Sequence, residues 1–129
     1  MSPDDRKYTR EHEWAKVEDA GARLALVGIT DYAQDELGDI VYFDLPQAGA
    51  AVSHMAKMGE VESVKAVSDL FSPVTGTIEA INEQLIDHPE LVNDDPFGAG
   101  WIIRVALEDL AELDSLMSAA EYDEYIGGL

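Results

Sequence analysis

The sequence has no cysteine and few basic residues. Without cysteine, disulfides, thiolate metal ligands and cysteine nucleophiles are all excluded. A chain without disulfides fits a reducing compartment. Eight Lys and Arg residues stand against 27 Asp and Glu residues, which gives a formal net charge of −19. Because binding to phosphates requires clustered cations, we expect neither nucleic acid nor an anionic membrane surface as a partner.

The chain also lacks a long hydrophobic run. The longest apolar stretch, LALVGI at residues 24–29, is far too short to cross a bilayer, and the polar N-terminus has no apolar signal region. We therefore expect a cytoplasmic protein. With 47% hydrophobic residues, the sequence predicts a single globular domain over residues 1–129. Its acidic surface favours solubility and is also compatible with steering toward basic partner surfaces.

Most catalytic templates are missing from the sequence. There is no glycine-rich phosphate loop with its lysine and no G-x-S-x-G motif. His12, His54 and His88 lie far apart in sequence, so we expect no metal site. With 27 carboxylates, spacing alone cannot single out an acid–base pair. The sequence thus predicts no catalytic residues.

Short strand-like segments separated by Gly and Pro fill most of the chain. Alternating, β-branched and aromatic residues predict strands at residues 22–29, 39–45, 59–64, 76–81 and 101–107. DIVYFDL at residues 39–45 has apolar residues on both faces of the expected strand, which predicts a strand buried on both sides. Residues 82–100 contain several helix breakers, and we expect them to be irregular. This pattern predicts a mainly β fold, a small sandwich or barrel.

Two segments have helical signals. DYAQDEL at residues 31–37 predicts a short helix capped by Thr30 or Asp31, with Gln34 placed for a capping-box return and Gly38 at its end.

A second, C-terminal helical segment is expected at about residues 108–126. Ser118 and Glu121 form an S-x-x-E capping box, and four leucines recur at helical spacing: Leu107, Leu110, Leu113 and Leu116. We expect these leucines to pack on the sheet, and a partner-binding stripe is the alternative.

Two lysines are candidates for chemistry, Lys57 and Lys65, in HMAKMGEVESVKAVSD. Lys65 is predicted at the tip of a hairpin spanning about residues 59–81, where an enzyme can reach its amine. Pro73 follows Lys65 by eight residues and Lys57 by sixteen. The shorter spacing is similar to that of lipoyl and biotin carriers, so we favour Lys65, although MAKM resembles a biotin-carrier sequence. The alternative is that Lys65 is an ordinary solubilising charge.

Five segments, in order, resemble the H-protein family of the glycine cleavage system from about Tyr8 to Tyr125. They are YTREHEW, VGITDYAQDELGDIVYFDLP, GEVESVKAVSDLFSPVTGTIEAINEQL, PELVNDDPFGAGWIIRV and LMSAAEY. The resemblance implies a lipoyl/biotinyl-type β-sandwich (barrel-sandwich hybrid) with short helices and a C-terminal helical segment. It also implies lipoate in amide linkage to Lys65. The residues implied in recognition by the lipoylating enzyme, or in shaping the hairpin, are Glu62, Ser63, Val64 and Ala66.

The resemblance implies a carrier without catalytic activity of its own. Its lipoyl arm would take an aminomethyl group from a pyridoxal-phosphate glycine decarboxylase to a tetrahydrofolate-dependent aminomethyltransferase, and an FAD-containing dihydrolipoamide dehydrogenase would reoxidise the arm. A redox-active disulfide on the cofactor is consistent with a chain that lacks cysteine. The positions that match the family's arm-binding cleft are Glu13 and Asp69, and the alternative is that each is an exposed acid near the end of a strand.

The sequence departs from the family at two positions, and two other functions remain open. Met55 stands where the family usually has Gly, and Tyr32 stands where a histidine is common. One alternative is an H-like protein that mainly donates lipoyl groups for the lipoylation of other enzymes. The other is an acidic interaction module in which Lys65 is unmodified.

Overall fold

The computed structural model describes residues 2–129, which form two antiparallel sheets. The larger sheet has the order β1-β2-β3-β9-β8-β5, and the smaller has the order β4-β6-β7. The strands are β1 (Lys7–Tyr8), β2 (Glu13–Asp19), β3 (Leu24–Ile29), β4 (Ile40–Asp44), β5 (Ala51–Val52), β6 (Lys57–Ser63), β7 (Val67–Phe71), β8 (Gly76–Ile81) and β9 (Ile103–Leu107). The helices are α1 (Asp31–Leu37), α2 (Gln84–Asp87), α3 (Leu91–Asp94), a 3-10 helix (Leu110–Ser115) and α4 (Ala119–Gly127). The prediction of a mainly β fold is confirmed.

The inner faces of the two sheets share one hydrophobic core. Val27 of β3 and Ile78 of β8 pack in the same buried cluster as Val61 of β6 and Leu70 of β7. A second cluster lies where the two ends of the chain meet, and it contains Tyr8, Trp14, Ala119 and Tyr122. The second cluster attaches α4 to the larger sheet, so the C-terminal helix is part of the folded body.

Strand β4 is buried on one side only, so the prediction of burial on both sides is wrong. Ile40 and Phe43 face the core, whereas Val41 and Tyr42 are 47% and 58% exposed. The physical reason is that β4 is an edge strand, and the outer face of its sheet is open to solvent at Val41 and Tyr42. A bulge between Ile40 and Tyr42 also breaks the simple alternation of the strand.

The hairpin that carries Lys65 is shorter than predicted. Its return strand is β7, which pairs with β6, whereas β8 belongs to the other sheet. The hairpin therefore covers residues 57–71 rather than 59–81. Pro73 lies beyond the return strand, in the connection between the two sheets.

Residues 82–100 are more ordered than expected, because they contain the helices α2 and α3. Each helix has four residues, and neither has a side-chain cap at its N-terminus. A single turn is too short to show helical periodicity, which explains why the sequence did not reveal these helices. None of the helices described in residues 2–129 is long and apolar enough to cross a membrane.

The leucines near the C-terminus follow a 3-10 helix rather than an α-helix. Leu110 and Leu113 lie in the 3-10 helix, Leu116 follows its last residue, and Leu107 ends β9. A spacing of three residues is the period of a 3-10 helix, so the spacing signal was correct but the helix type was not. Leu107, Leu113 and Leu116 are buried in the core and Leu110 packs against it, which confirms the core interpretation.

The two predicted caps have different outcomes. The capping box between Ser118 and Glu121 is confirmed at the start of α4. Thr30 caps α1 by accepting a hydrogen bond from the backbone N–H of Ala33. Gln34 makes no capping-box return, because its side chain bonds Asp31 and Asn93 instead.

Candidate functional site

Lys65 lies in the exposed turn between β6 and β7, and Ser63 holds this turn from inside. The Ser63 hydroxyl oxygen accepts hydrogen bonds from the backbone N–H groups of Lys65 and Ala66, each at 3.2 Å. The Ser63 N–H donates to the carbonyl of Ala66 at 2.8 Å, which closes the turn. Ser63 is 5% exposed. Its buried hydroxyl therefore shapes the hairpin, which was one of the two roles predicted for this residue.

The neighbours of Lys65 in the turn point outward. Val64 is 67% exposed, and its N–H donates to the carbonyl of Asp39, which anchors the turn to the start of β4. Glu62 and Ala66 are exposed as well. An enzyme approaching the tip can therefore touch Glu62, Val64 and Ala66 without disturbing the core.

The aliphatic part of the Lys65 side chain lies against the C-terminal end of α1. Gly38 ends this helix with φ +78°, and a Cβ added there would be 3.2 Å from Cε of Lys65. Within residues 2–129, the Lys65 amine makes no salt bridge. The amine is thus exposed and uncommitted, although its stem has a defined contact.

A cleft of about 590 Å³ opens beside this hairpin. Its walls are the edge strand β7, the start of β2 and the helix α1. Aliphatic side chains line it together with four carboxylates. The lining includes Glu11, Glu13, Ile29, Glu36, Leu37, Val61, Val67, Asp69 and Leu70. This composition suits an occupant with an apolar stem and a cationic end.

Glu13 is the buried acid of the cleft, with 1% exposure. Its Oε1 accepts a hydrogen bond from the Thr9 hydroxyl at 2.7 Å, and its Oε2 accepts one from the N–H of Phe71 at 3.3 Å. Burial raises the pKa of Glu13 to about 8, although both hydrogen bonds act in the opposite direction. The Glu13 carboxyl therefore retains its proton near neutral pH until a cation approaches.

Asp69 lines the same cleft, but its environment differs from that of Glu13. Its side chain is 48% exposed, and it forms a salt bridge of 3.2 Å with the Nζ of Lys57. Lys57 also pairs with Glu60 at 2.9 Å. These hydrogen bonds, to Glu60 first and then to Asp69, raise the pKa of Lys57. Glu13 and Asp69, the two predicted cleft acids, thus line the same cleft, and Asp69 also binds Lys57.

An aromatic wall, formed by His12 and Tyr32, closes one side of the cleft. Their ring centroids are 4.7 Å apart, and both residues line the cavity. His12 has a left-handed backbone with φ 72°, its N–H donates to the Thr9 carbonyl, and its own carbonyl accepts from the N–H of Thr30. Burial lowers the pKa of His12, which favours its neutral form. Tyr32, a departure from the family pattern, is therefore part of the cleft.

Sequence reasoning missed Asn93, which fixes the base of the site. Its Nδ2 donates to the carbonyl of Gly38 and to Oε1 of Gln34, and its Oδ1 accepts from the N–H of Ile40. One side chain thus joins the end of α1 to the start of β4, directly behind the Lys65 contact. The only sequence signal was an asparagine in a region expected to be irregular. Within residues 2–129, no group of three or more His, Cys, Asp or Glu side chains is arranged to hold a metal ion.

Comparison with known proteins gives consistent matches over nearly the whole chain. The family described as glycine cleavage H-protein matches residues 6–128. A probable glycine cleavage system H protein of Natronomonas pharaonis is 52% identical over 124 residues, which cover 96% of this chain and 95% of that protein. The glycine cleavage system H protein of Carboxydothermus hydrogenoformans is 48% identical over 124 residues, covering 96% and 93%.

A solved structure is also similar to this chain. The crystal structure of a glycine cleavage system H protein from Mycobacterium marinum superposes with a TM-score of 0.87 at 40% identity. The match covers 99% of this chain and 100% of the other. The predicted fold class, a lipoyl-type β-sandwich with short helices and a C-terminal helix, is confirmed by this likeness together with the two sheets described above.

Proposed function

The chain belongs to the glycine cleavage H-protein family, and we propose that it works as a non-catalytic lipoyl carrier with the arm on Lys65. The arm would take the aminomethyl group of glycine from a pyridoxal-phosphate decarboxylase to a tetrahydrofolate-dependent aminomethyltransferase. An FAD-containing dihydrolipoamide dehydrogenase would then return the arm to its oxidised form. The observation that carries this proposal is an exposed lysine, without a salt bridge in residues 2–129, in a turn held by a buried serine and next to an acid-lined cleft.

The residues around Lys65 fit a covalently attached arm. Amide formation requires a reachable amine, and the Lys65 amine is exposed without a salt bridge among residues 2–129. The neighbouring cleft has the aliphatic walls that a long hydrocarbon stem needs, and the residues Val67 to Phe71 of its wall belong to the same hairpin. When bound, lipoate supplies the sulfur chemistry that a chain without cysteine cannot supply.

The cleft residues act on the cationic end of such an arm through charge and protonation. An ammonium near Glu13 favours the ionised carboxylate, because an opposite charge lowers a carboxyl pKa. Glu13 can therefore release its proton as the cation enters and take it back as the cation leaves. Phe71 N–H and Thr9 hold the two carboxylate oxygens in place throughout. Asp69 adds a second carboxylate nearer the solvent, partly neutralised by Lys57.

The proposed partners are the three enzymes named above and a lipoylating enzyme. With a net charge of −19, the carrier is suited to fast, salt-sensitive encounters with basic surfaces. Brief encounters match a carrier that visits several enzymes in turn. The cytoplasmic location expected from the sequence is part of this proposal.

Intact-mass spectrometry after co-expression with a lipoylating enzyme tests the proposal. We expect a mass increase of one lipoyl group, and peptide mapping should place it on Lys65. The modified protein should then accept the aminomethyl group when incubated with the decarboxylase, pyridoxal phosphate and glycine. An unchanged mass would leave the unmodified interaction module as the better description.

A further inference from the structure

The C-terminal helix reaches the cleft through one buried hydroxyl group, that of Tyr122. Tyr122 has 0% exposure. Its oxygen lies 2.9 Å from Nδ1 of His12 and 2.7 Å from the hydroxyl oxygen of Thr30. His12 belongs to the aromatic wall, and Thr30 caps α1, which forms another wall. A single side chain of α4 thus connects two walls of the cleft, although Tyr122 and His12 are 110 residues apart in sequence.

The position of Tyr122 is well fixed. Its ring stacks on Tyr8 with centroids 4.8 Å apart. Tyr8 and Met117 exchange two backbone hydrogen bonds, which attach the start of α4 to β1. The Ser118 capping box defines the first turn of the helix. Because Tyr122 is anchored on both sides, its hydroxyl group can orient its neighbours.

The directions of the two hydrogen bonds follow from the available donors and acceptors. The Thr30 oxygen already accepts from the N–H of Ala33 at 3.2 Å. In the described part of the chain, Tyr122 is the one acceptor recorded within hydrogen-bonding distance for the Thr30 hydroxyl hydrogen. A buried hydroxyl donates where it can. Thr30 therefore donates to Tyr122, and Tyr122, whose single hydrogen is then free, donates to His12.

We propose that Tyr122 is a positioning residue for the cleft: its hydroxyl group holds the His12 imidazole in the tautomer protonated on Nε2. Nδ1 of His12 is then an acceptor, occupied by the Tyr122 hydroxyl. The neutral ring has no free lone pair for the cleft, because its other nitrogen carries the hydrogen. Glu11 and Glu36 are the charged groups near this ring, and they match an N–H donor better than an acceptor.

For the cleft, this tautomer has a definite consequence, which rests on the proposed carrier function. His12 cannot take a proton from an ammonium in the cleft while its tautomer is held. Proton acceptance there falls to the carboxylates of the cleft, including the buried Glu13 once the entering cation has displaced its own proton. Tyr122 also fixes the ring against Tyr32, so it sets the shape of the wall that faces the arm.

Nitrogen NMR of the unmodified protein tests the assignment without any lipoyl group. The three histidines can be assigned by single replacements, and His54 provides an internal reference. Its Nδ1 lies 2.8 Å from the carbonyl of Pro73, which only accepts, so His54 must carry its hydrogen on Nδ1. At a pH where the rings are neutral, we expect His12 to show the opposite tautomer, with Nε2 protonated.

Variants separate positioning from packing. Tyr122→Phe keeps the ring but removes the donor, so the His12 signals should move toward a mixture of tautomers while the rest of the spectrum stays dispersed. Tyr125→Phe is the matched control, since its ring lies 6.1 Å from His12 with no hydrogen bond between them recorded in residues 2–129. Thr30→Ser keeps the hydroxyl and should keep the wild-type tautomer. Protonation of wild-type His12 on Nδ1, or unchanged His12 signals in Tyr122→Phe, would overturn the proposal.

A second measurement uses the protein modified at Lys65. Loss of one hydrogen bond should loosen the wall, so alkylation of the reduced arm by iodoacetamide should be roughly two- to tenfold faster in Tyr122→Phe than in Tyr125→Phe. Equal rates in the two variants would contradict the role toward the arm. If no lipoyl group can be attached at Lys65, the carrier function fails, whereas the NMR result still decides the position of His12.

Discussion

The two ends of strand β6 each have a lysine beside a turn, and the two lysines are in opposite situations. Lys57 begins the strand, and its amine is held by Glu60 and Asp69 at 2.9 and 3.2 Å. Lys65 follows the strand, and its amine is exposed with no salt bridge in residues 2–129, while its stem rests on Gly38. The same strand therefore presents one lysine that is tied to carboxylates and one that is available.

The comparison shows that a lysine suited to modification is defined by its surroundings rather than by the residues next to it in sequence. MAKM around Lys57 resembles a carrier motif, yet two carboxylates raise the pKa of this amine and so disfavour the neutral, nucleophilic form. ESVKA around Lys65 looks ordinary. Its distinguishing feature is Ser63, whose buried hydroxyl holds the turn so that Lys65 projects from it.

The largest effect, on lipoylation, is expected from replacing each of the two lysines by arginine in separate variants. Lys65→Arg should abolish lipoylation, whereas Lys57→Arg should leave it nearly unchanged, because Arg keeps the salt bridges of that position. Both are surface substitutions, so the free energy of unfolding should change by about 0.5 kcal/mol or less. Intact mass after co-expression and circular dichroism measure the two properties. If the Lys65→Arg variant were lipoylated at Lys57, the surroundings of a lysine would not decide which lysine is modified.

The two cleft acids near these lysines differ in the same way, and this difference should appear in the pH dependence of stability. Glu13 is buried with a pKa of about 8, above the ordinary value of 4.5, whereas Asp69 is exposed. Between pH 4.5 and pH 8, Glu13 therefore holds a proton in the folded state that it has released in the unfolded state. The free energy of unfolding therefore falls as the pH rises from about 4.5 to 8.

Glu13→Gln has no such proton, so its stability should not show that decline. Relative to the wild type, it should gain on the order of 2–4 kcal/mol between pH 5 and pH 8. Urea unfolding at several pH values measures this. Asp69→Asn removes an exposed carboxyl of the same cleft and should keep the wild-type decline. Parallel curves for Glu13→Gln and the wild type would argue against a protonated Glu13.

The support beneath Lys65 can be tested at Gly38. Alanine at this position must adopt a φ of +78°, and its Cβ would lie 3.2 Å from Cε of Lys65. We expect Gly38→Ala to destabilise the fold by about 1–3 kcal/mol and to slow lipoylation. Gly49 has φ +93° with no atom near an added Cβ, so Gly49→Ala controls for backbone strain alone. Equal lipoylation rates in the two variants would mean that the stem contact is unimportant.

Much of the fold could be predicted from sequence because it depends on local signals. The apolar residues of β3 and β9 and the Ser118–Glu121 capping box are visible within a few residues of one another. Strand β7 was missed because VSDLF has polar residues where the edge of the sheet meets the cleft. A polar edge strand lacks the apolar alternation that predicts a strand.

The site itself was only partly predictable, because its key contacts join residues far apart in sequence. The turn position of Lys65 followed from the flanking strand. One of the hydrogen bonds that Glu13 accepts comes from the N–H of Phe71, 58 residues away. The hydrogen bond between Asn93 and Gly38 spans 55 residues. Nothing within a single segment indicates such contacts, since they arise only when the two sheets and α1 pack together.

The smallest effect is expected at the other end of β6, in the turn that precedes Lys57. Met55 has a φ of 59°, a left-handed conformation that glycine adopts without strain. Its N–H donates to the Ser72 carbonyl at 2.6 Å, so the turn retains this conformation although a side chain disfavours it.

Left-handed backbone costs a non-glycine residue about 1–2 kcal/mol, and part of this is offset because glycine makes the unfolded chain more flexible. Met55→Gly should therefore stabilise the fold by about 0.5–1 kcal/mol in urea unfolding, with lipoylation of Lys65 unchanged. Met55→Ala keeps the strain and should not stabilise, and a gain in Met55→Ala equal to that in Met55→Gly would show that the methionine side chain, rather than the backbone, is the source of the cost.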